Sequence, residues 1–243
     1  YIHAHPFTTY LVMASASAEP VVSQVKYQSV YDQSTPEIYD SWASDGYDEN
    51  VAQFSLAVES LRQCFVKYVG VDASDTRTVL DAGCGTGRVA EVILRNGKAE
   101  QFVFDGVDFS TGMLEVAKKK GSYRHLKEAD LKKPLSMLED SAYDAIVSSG
   151  VFLQGHCGPE CLPNLARVLK PGGHMLFTVR PTFYEETKDE WLKTFTESKM
   201  SVLNVEWLPY ARDKHNVPSS GDDGADAVAE PFLAPIVIAV KQR

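Results

Sequence analysis

Three glycines at alternate positions, in Asp81-Ala82-Gly83-Cys84-Gly85-Thr86-Gly87, lie between a short β-branched apolar run from Thr78 to Asp81 and a stretch with helical apolar spacing at Val89, Val92 and Ile93. That order is a strand, a tight turn and a helix running from Arg88 to Asn96. Glycine tolerates positive φ and, having no Cβ, lets a ligand come close to the backbone. The unit then repeats. Gln101 to Asp108 reads as a second strand, and Ser110 is placed to cap a helix that carries Met113, Leu114 and Ala117 and ends at Gly121. Tyr123 to Asp130, Tyr143 to Ser148 and Gly173 to Val179 read as three more strands, with helices over Cys161 to Leu169 and Asp189 to Phe195. Val202 to Leu208 and Ile236 to Val240 read as closing strands. Strands alternating with helices imply an α/β fold in which helices cover a mostly parallel sheet.

The rest of the chain is organised around that core. Residues 1–30 read as a flexible N-terminal segment and residues 31–243 as a single domain; within it, 31–70 form a helical cap and 215–231, rich in Gly, Ala, Asp and Pro, a mobile surface loop. Residue 1 is Tyr, so Met13 is the expected biological start, with residues 1–12 as upstream sequence. No Lys or Arg precedes the short apolar run from Phe7 to Met13, which argues against a secretory signal. The four cysteines show no disulfide density for a chain of 243 residues, which fits a reducing, cytoplasmic setting. No apolar run approaches the ~20 residues of a membrane helix, so no membrane partner is expected. A net charge of -9 repels phosphate backbones and argues against nucleic acid as a partner.

The glycine turn does not match a dinucleotide fingerprint, because its third glycine comes one residue early and Arg88 stands where that glycine would be. No G-K-[ST] follows, so a triphosphate cradle is also excluded. Asp108 lies 21 residues beyond Gly87 at the end of the second strand, where an acid can accept from both ribose hydroxyls. Turn and acid together indicate an adenosine-type ligand. His156, Cys157 and Cys161 are metal-ligand types, but their spacing fits no standard zinc pattern and a fourth ligand is missing, so no metal is expected. Lys118, Lys119 and Lys120 read as a solvated helix end favoured by the dipole.

Five motifs, VLDAGCGTGRVAE, GVDFSTGMLEVAKKKG, EADL, YDAIVSSGVF and LARVLKPGGHMLFTVR, occur in an order and spacing that resemble the class I S-adenosylmethionine-dependent methyltransferases. Upstream IYDSWASDGYDENV and the segment GVFLQGHCGPE resemble the methyltransferase-like branch of the Williams-Beuren syndrome region. The resemblance implies a Rossmann-like seven-stranded sheet of order 3-2-1-4-5-7-6 with strand 7 antiparallel, and S-adenosyl-L-methionine as cofactor. It further implies that Asp81, Gly83, Gly85 and Gly87, with the backbone at Cys84, surround the methionyl part of the donor, Asp81 holding its ammonium. Asp108 would bind the ribose, Phe109 and Met113 would pack near the adenine, and Asp130 with Leu131 would meet the adenine amino group. Ser148 and Ser149 would line the channel to the acceptor, and Tyr39 and Tyr47 would close over the donor.

Plainer readings stand beside these. Cys84 fits as a small filler, Asp130 as a strand-end acid, Tyr39 and Tyr47 as helix-packing aromatics, and His156 as a loop histidine rather than the one candidate general base. The [DN]-P-P-[YF] signature of many amino-group methyltransferases is absent; Ser148-Ser149-Gly150-Val151 stands there instead. A small-molecule acceptor is therefore expected, with a protein side chain second. A donor-binding protein of the same fold without turnover is the reading from another functional class.

Overall fold

A computed structural model describes residues 35–44, 47–52, 55–70, 75–96, 101–212 and 231–243. The N-terminal segment expected to be flexible and nearly all of the 215–231 loop lie outside these residues. Three helices come first: α1 (Pro36–Ser44), α2 (Tyr47–Ala52) and α3 (Ala57–Tyr68). Then follow β1 (Arg77–Ala82), α4 (Arg88–Asn96), β2 (Phe102–Asp108), α5 (Thr111–Lys120), β3 (Tyr123–Glu128) and β4 (Tyr143–Phe152). The chain continues through α6 (Leu162–Val168), β5 (Leu169–Val179), α7 (Pro181–Glu186), α8 (Lys188–Glu197), β6 (Met200–Arg212) and β7 (Pro231–Lys241).

The seven strands form one sheet of order β3-β2-β1-β4-β5-β7-β6, as expected from the resemblance. β1 to β5 pair in parallel, and β7 runs antiparallel to both β5 and β6. Because successive strand residues point to opposite faces, each central strand feeds two cores. Leu80, Ile146, Met175 and Phe177 face α6 and α8, packing with Leu162, Leu165, Trp191 and Phe195. Val79, Ala145, Val147 and Leu176 face the other way, onto Leu61 and Phe65 of α3 and Val89 and Ile93 of α4. Burial on both faces is why these strands read as unbroken apolar runs.

Several element limits differ from the sequence-based ones for identifiable reasons. β3 ends at Glu128, and Asp130 instead opens a turn in which its Oδ1 accepts from the Lys132 N–H at 3.0 Å. Leu169 belongs to β5 rather than to the preceding helix, pairing with Tyr143, and the ladder slips at Lys170–Gly173 before His174 meets Ala145. The Pro-Gly-Gly sequence there makes an irregularity inside a strand. Pro209 lies within β6 because β6 is an edge strand, where a missing N–H costs no ladder bond on the open side. α7 has no apolar periodicity and no buried residue, so periodicity could not find it. Ser110 caps α5 as expected, its side chain accepting from the Met113 N–H at 3.0 Å, and Gly121 ends the helix at φ 70°.

The carboxyl ends of β1 to β5 all open to one side of the sheet. α1 and α2 lie over that side.

Candidate active site

The turn after β1 is tied to β2 by the N–H groups of Gly83 and Cys84, which both donate to the Val107 carbonyl at 2.8 and 3.0 Å. Its glycines have different tasks. Gly85, at φ 52°, has no heavy atom within 4 Å of where a Cβ would stand. Gly87, at φ 86°, has the Tyr123 ring 2.8 Å and the Ala117 Cβ 3.3 Å from that point. Gly85 therefore leaves space open in front of the turn, whereas Gly87 allows β3 and α5 to close behind it.

Asp108 is buried at the end of β2. Its Oδ2 accepts from the Gly85 N–H at 2.7 Å and its Oδ1 from the Ser110 N–H at 3.0 Å, so the carboxylate joins the glycine turn to the start of α5. Burial pushes its pKa above the ordinary carboxylate range, against the pull of those amides. A carboxylate offers about four lone-pair sites, and the backbone N–H groups of Ser110, Gly85 and Phe109 all draw on them. Asp81 is also buried, with Oδ2 accepting from the Tyr123 hydroxyl at 2.7 Å and Oδ1 lacking a partner within hydrogen-bonding geometry. Burial is the main cause that raises its pKa to about 7, and the nearby Asp108 adds to it.

Two carboxylates from the cap anchor it to the core. Asp40 of α1 accepts from the Ser110 hydroxyl at 2.6 Å and the Gly112 N–H at 2.8 Å, at the positive end of α5. Asp48 of α2 accepts from the Thr86 hydroxyl in the glycine turn and pairs with Lys120. Tyr39 reaches across to the core, its hydroxyl 2.8 Å from His156 Nε2 and its ring edge-on to Phe109 at 5.4 Å. Burial is the first cause that lowers the His156 pKa, and the positive charges of Lys132 and Arg180 lower it further, so its neutral form prevails.

Between cap and sheet lies a cavity of about 740 Å³. Gly83, Cys84, Gly85, Asp108, Phe109 and Met113 line it from the ends of β1 and β2 and from α5. Asp130 and Leu131 line it beyond β3, His156 beyond β4, and Tyr39 and Tyr47 from the cap. Asp81, Gly87 and Ser148 are not on its wall. Asp81 turns toward Tyr123 behind the turn, Gly87 packs against that same ring, and Ser148 points into the sheet, its hydroxyl donating to the Ala82 carbonyl at 2.6 Å. Ser149 takes the wall position instead. At that end of β4 the lining does not alternate, since Ser149, Gly150 and Val151 all stand on the wall. The Cys84 thiol is buried and pushed well above its usual pKa, as befits a filler and not a nucleophile. Among the described residues, no three His, Cys, Asp or Glu side chains converge as a metal site.

Sequence reasoning missed four groups: Asp40 and Asp48, which dock the cap, and Arg88 and Arg180 on the cavity wall. Arg88 immediately follows the glycine turn, and its Nη1 is buried without a hydrogen-bond partner.

Known proteins resemble this chain in sequence and in fold. A family model described as a methyltransferase domain matches residues 80–177. Methyltransferase-like protein 27 of Homo sapiens is 31% identical over 178 residues, covering 70% of this chain and 69% of that one. A malonyl-acyl-carrier-protein O-methyltransferase of Serratia marcescens is 34% identical over 162 residues, covering 66% of this chain and 61% of that enzyme, less than two thirds of its length. Among solved structures, a chain from the complex of the Haloferax volcanii Trm112 methyltransferase activator with a methyltransferase superposes with a TM-score of 0.60 at 18% identity, covering 88% of this chain and all of that one. With the sheet order, the glycine turn and the acid after β2 in their places, the chain belongs to the class I S-adenosylmethionine-dependent methyltransferases.

Proposed function

We propose that this chain binds S-adenosyl-L-methionine across the ends of β1, β2 and β3 and transfers its methyl group to a small-molecule acceptor lodged between the cap and the ends of β4 and β5. The observation that carries this reading is that the open face of Gly85 and the Asp108 carboxylate line the same cavity. The residues fit the donor. The Asp108 carboxylate suits ribose hydroxyls, Phe109 and Met113 give apolar cover, and the orphaned Arg88 Nη1 suits a carboxylate. The relative named for O-methylation of a malonyl group supports a small acyl-type acceptor.

The donor, when bound, supplies an already activated methyl group on a sulfonium. What the chain must do is align the acceptor with that methyl and keep water out. The Tyr39–His156 contact bridges cap and core over the cavity and serves that closure. His156, held neutral, is placed to take the proton from an acceptor that must lose one.

Calorimetric titration with S-adenosylmethionine, S-adenosylhomocysteine and NAD tests the donor. Both sulfur ligands are expected to bind; failure of both at millimolar concentration, with NAD binding instead, overturns the reading. Asp108→Ala is expected to weaken both by about 1 to 3 kcal/mol, and to loosen the turn as well, because the Gly85 and Ser110 N–H groups lose their acceptor. Unchanged affinity in that variant would mean that another group holds the ribose.

The cap gives a second expectation. No described residue of α1 or α2 is buried, whereas α3 buries Ala57, Ser60, Leu61, Cys64 and Phe65. A segment attached mainly through Asp40, Asp48 and Tyr39 should open at low free energy, while α3 opens only with the core. Amides of α1 and α2 are expected to exchange faster than those of α3 in the free protein, and to slow when S-adenosylhomocysteine is added. Equal protection of all three helices without ligand would show a permanently docked cap.

A further inference from the structure

Arg88, Lys132, Lys133 and Arg180 all line the cavity, and they differ in what already holds them. Lys132 and Lys133 are exposed in the turn after β3, and Lys133 pairs with Asp130 at 3.4 Å. Arg180 is engaged elsewhere, and its charge helps keep the His156 ring neutral. Arg88 is different. It is half-buried, its Nη1 is sealed from water with no hydrogen-bond partner, and no acid among the described residues pairs with it. Glu91, the acid in the same helical turn, is taken by Arg95 and by Lys120. Arg88 is also the first residue of α4, at the positive end of that helix. A cation set against the dipole, with a buried donor left unbonded, lowers the stability of the free chain on both counts. Such a placement serves the fold poorly and an anion well.

A guanidinium is permanently charged and presents a planar fork of donors that matches a carboxylate. Arg88 comes directly after the glycine turn, whose open face at Gly85 is on the same cavity wall. Asp81, which the motif gives to the donor's amino-acid end, is off that wall and bonded to Tyr123. We infer that Arg88 holds the donor's α-carboxylate and makes the site select a donor that carries one, against the decarboxylated form. This rests on the methyltransferase reading and names the group by which the same site reads the far end of the donor. The two forms share adenosine, sulfonium and ammonium, so the carboxylate alone separates them. Without it, an ammonium stands near a guanidinium with no charge between them, and the like charges repel. Arg88 and Asp108 together fix the donor on both sides of its sulfonium, which limits how far the methyl group can swing.

The test titrates the full chain with S-adenosylmethionine, decarboxylated S-adenosylmethionine and S-adenosylhomocysteine by calorimetry. The parent is expected to bind S-adenosylmethionine about 10- to 100-fold more tightly than the decarboxylated form, the range that a charge-assisted pair gives. Arg88→Gln is expected to lose that factor for the two ligands that carry a carboxylate. It should bind the decarboxylated form as well as the parent does, or better, because a like charge has gone. Arg88→Lys should keep part of the preference, and the thermal midpoint of ligand-free Arg88→Gln should hold or rise. Equal binding of the two sulfonium forms by the parent would overturn the inference, and this comparison needs no variant to fold. An Arg88→Gln chain that keeps the parent's preference, or one that weakens all three ligands alike with a lowered midpoint, would overturn it too; each of these results leaves the donor reading standing. A parent that binds none of the three would overturn the donor reading, and this inference with it.

Discussion

Gly85→Val is expected to abolish measurable binding of S-adenosylmethionine and S-adenosylhomocysteine, a loss of ~100-fold or more, which is about 2.7 kcal/mol, while the chain remains folded. The reason lies in what surrounds that one residue. A Cβ at position 85 meets no heavy atom within 4 Å, so the isopropyl group would extend into the space left for a ligand. At φ 52° a β-branched residue is also strained by roughly 1–2 kcal/mol, and relieving that strain would turn the N–H away from Asp108. Gly87→Val supplies the control. There the branched side chain would drive into the Tyr123 ring and Ala117, so the expected loss is in thermal stability, with a lowered midpoint by circular dichroism. Two glycines two residues apart thus separate ligand from fold. A folded Gly85→Val protein that titrates like the parent would show that the turn does not meet the donor.

The parts of this site that were legible in the sequence are those whose signal is local. Strand, glycine turn, helix and the acid closing β2 lie within a few tens of residues, and Ser110 and Gly121 bound α5 by capping chemistry that needs no tertiary context. The parts that were not legible depend on partners far along the chain. Asp40 carries no mark that distinguishes it from Asp45 or Asp48; only the fold brings it to the N–H of Gly112, 72 positions away. Asp105, in the middle of an apolar strand, reads as a misplaced acid. The fold satisfies it with Arg124 at 3.0 and 2.6 Å and with the Tyr143 hydroxyl at 3.1 Å. Arg180 was hidden for a different reason: it ends a motif that reads as a strand, and whether a strand-end side chain enters a cavity depends on what covers it.

Asp81 is where motif and structure part most sharply, and it yields the other large expected effect. The motif makes it a holder of the donor's ammonium, but its carboxyl is buried behind the turn and bonded to the Tyr123 hydroxyl, off the cavity wall. In the folded chain it keeps its proton up to about pH 7, whereas an unfolded aspartate releases it near ~3.9. The raised folded value means that this carboxyl favours folding fully below pH ~4, loses that contribution progressively as pH rises through about 7, and costs a constant amount above it. Between pH 5 and pH 8 the parent chain should therefore lose about 2 to 3 kcal/mol through this group alone. Asparagine does not titrate and its carbonyl can still accept from Tyr123. Asp81→Asn should accordingly gain that amount relative to the parent between the two pH values in denaturant unfolding, whatever its stability at either one. Donor affinity should change far less than in Gly85→Val. A parallel pH dependence in parent and variant would show that Asp81 is ionised in the folded chain, and a collapse of donor binding in Asp81→Asn would return the residue to the ligand after all.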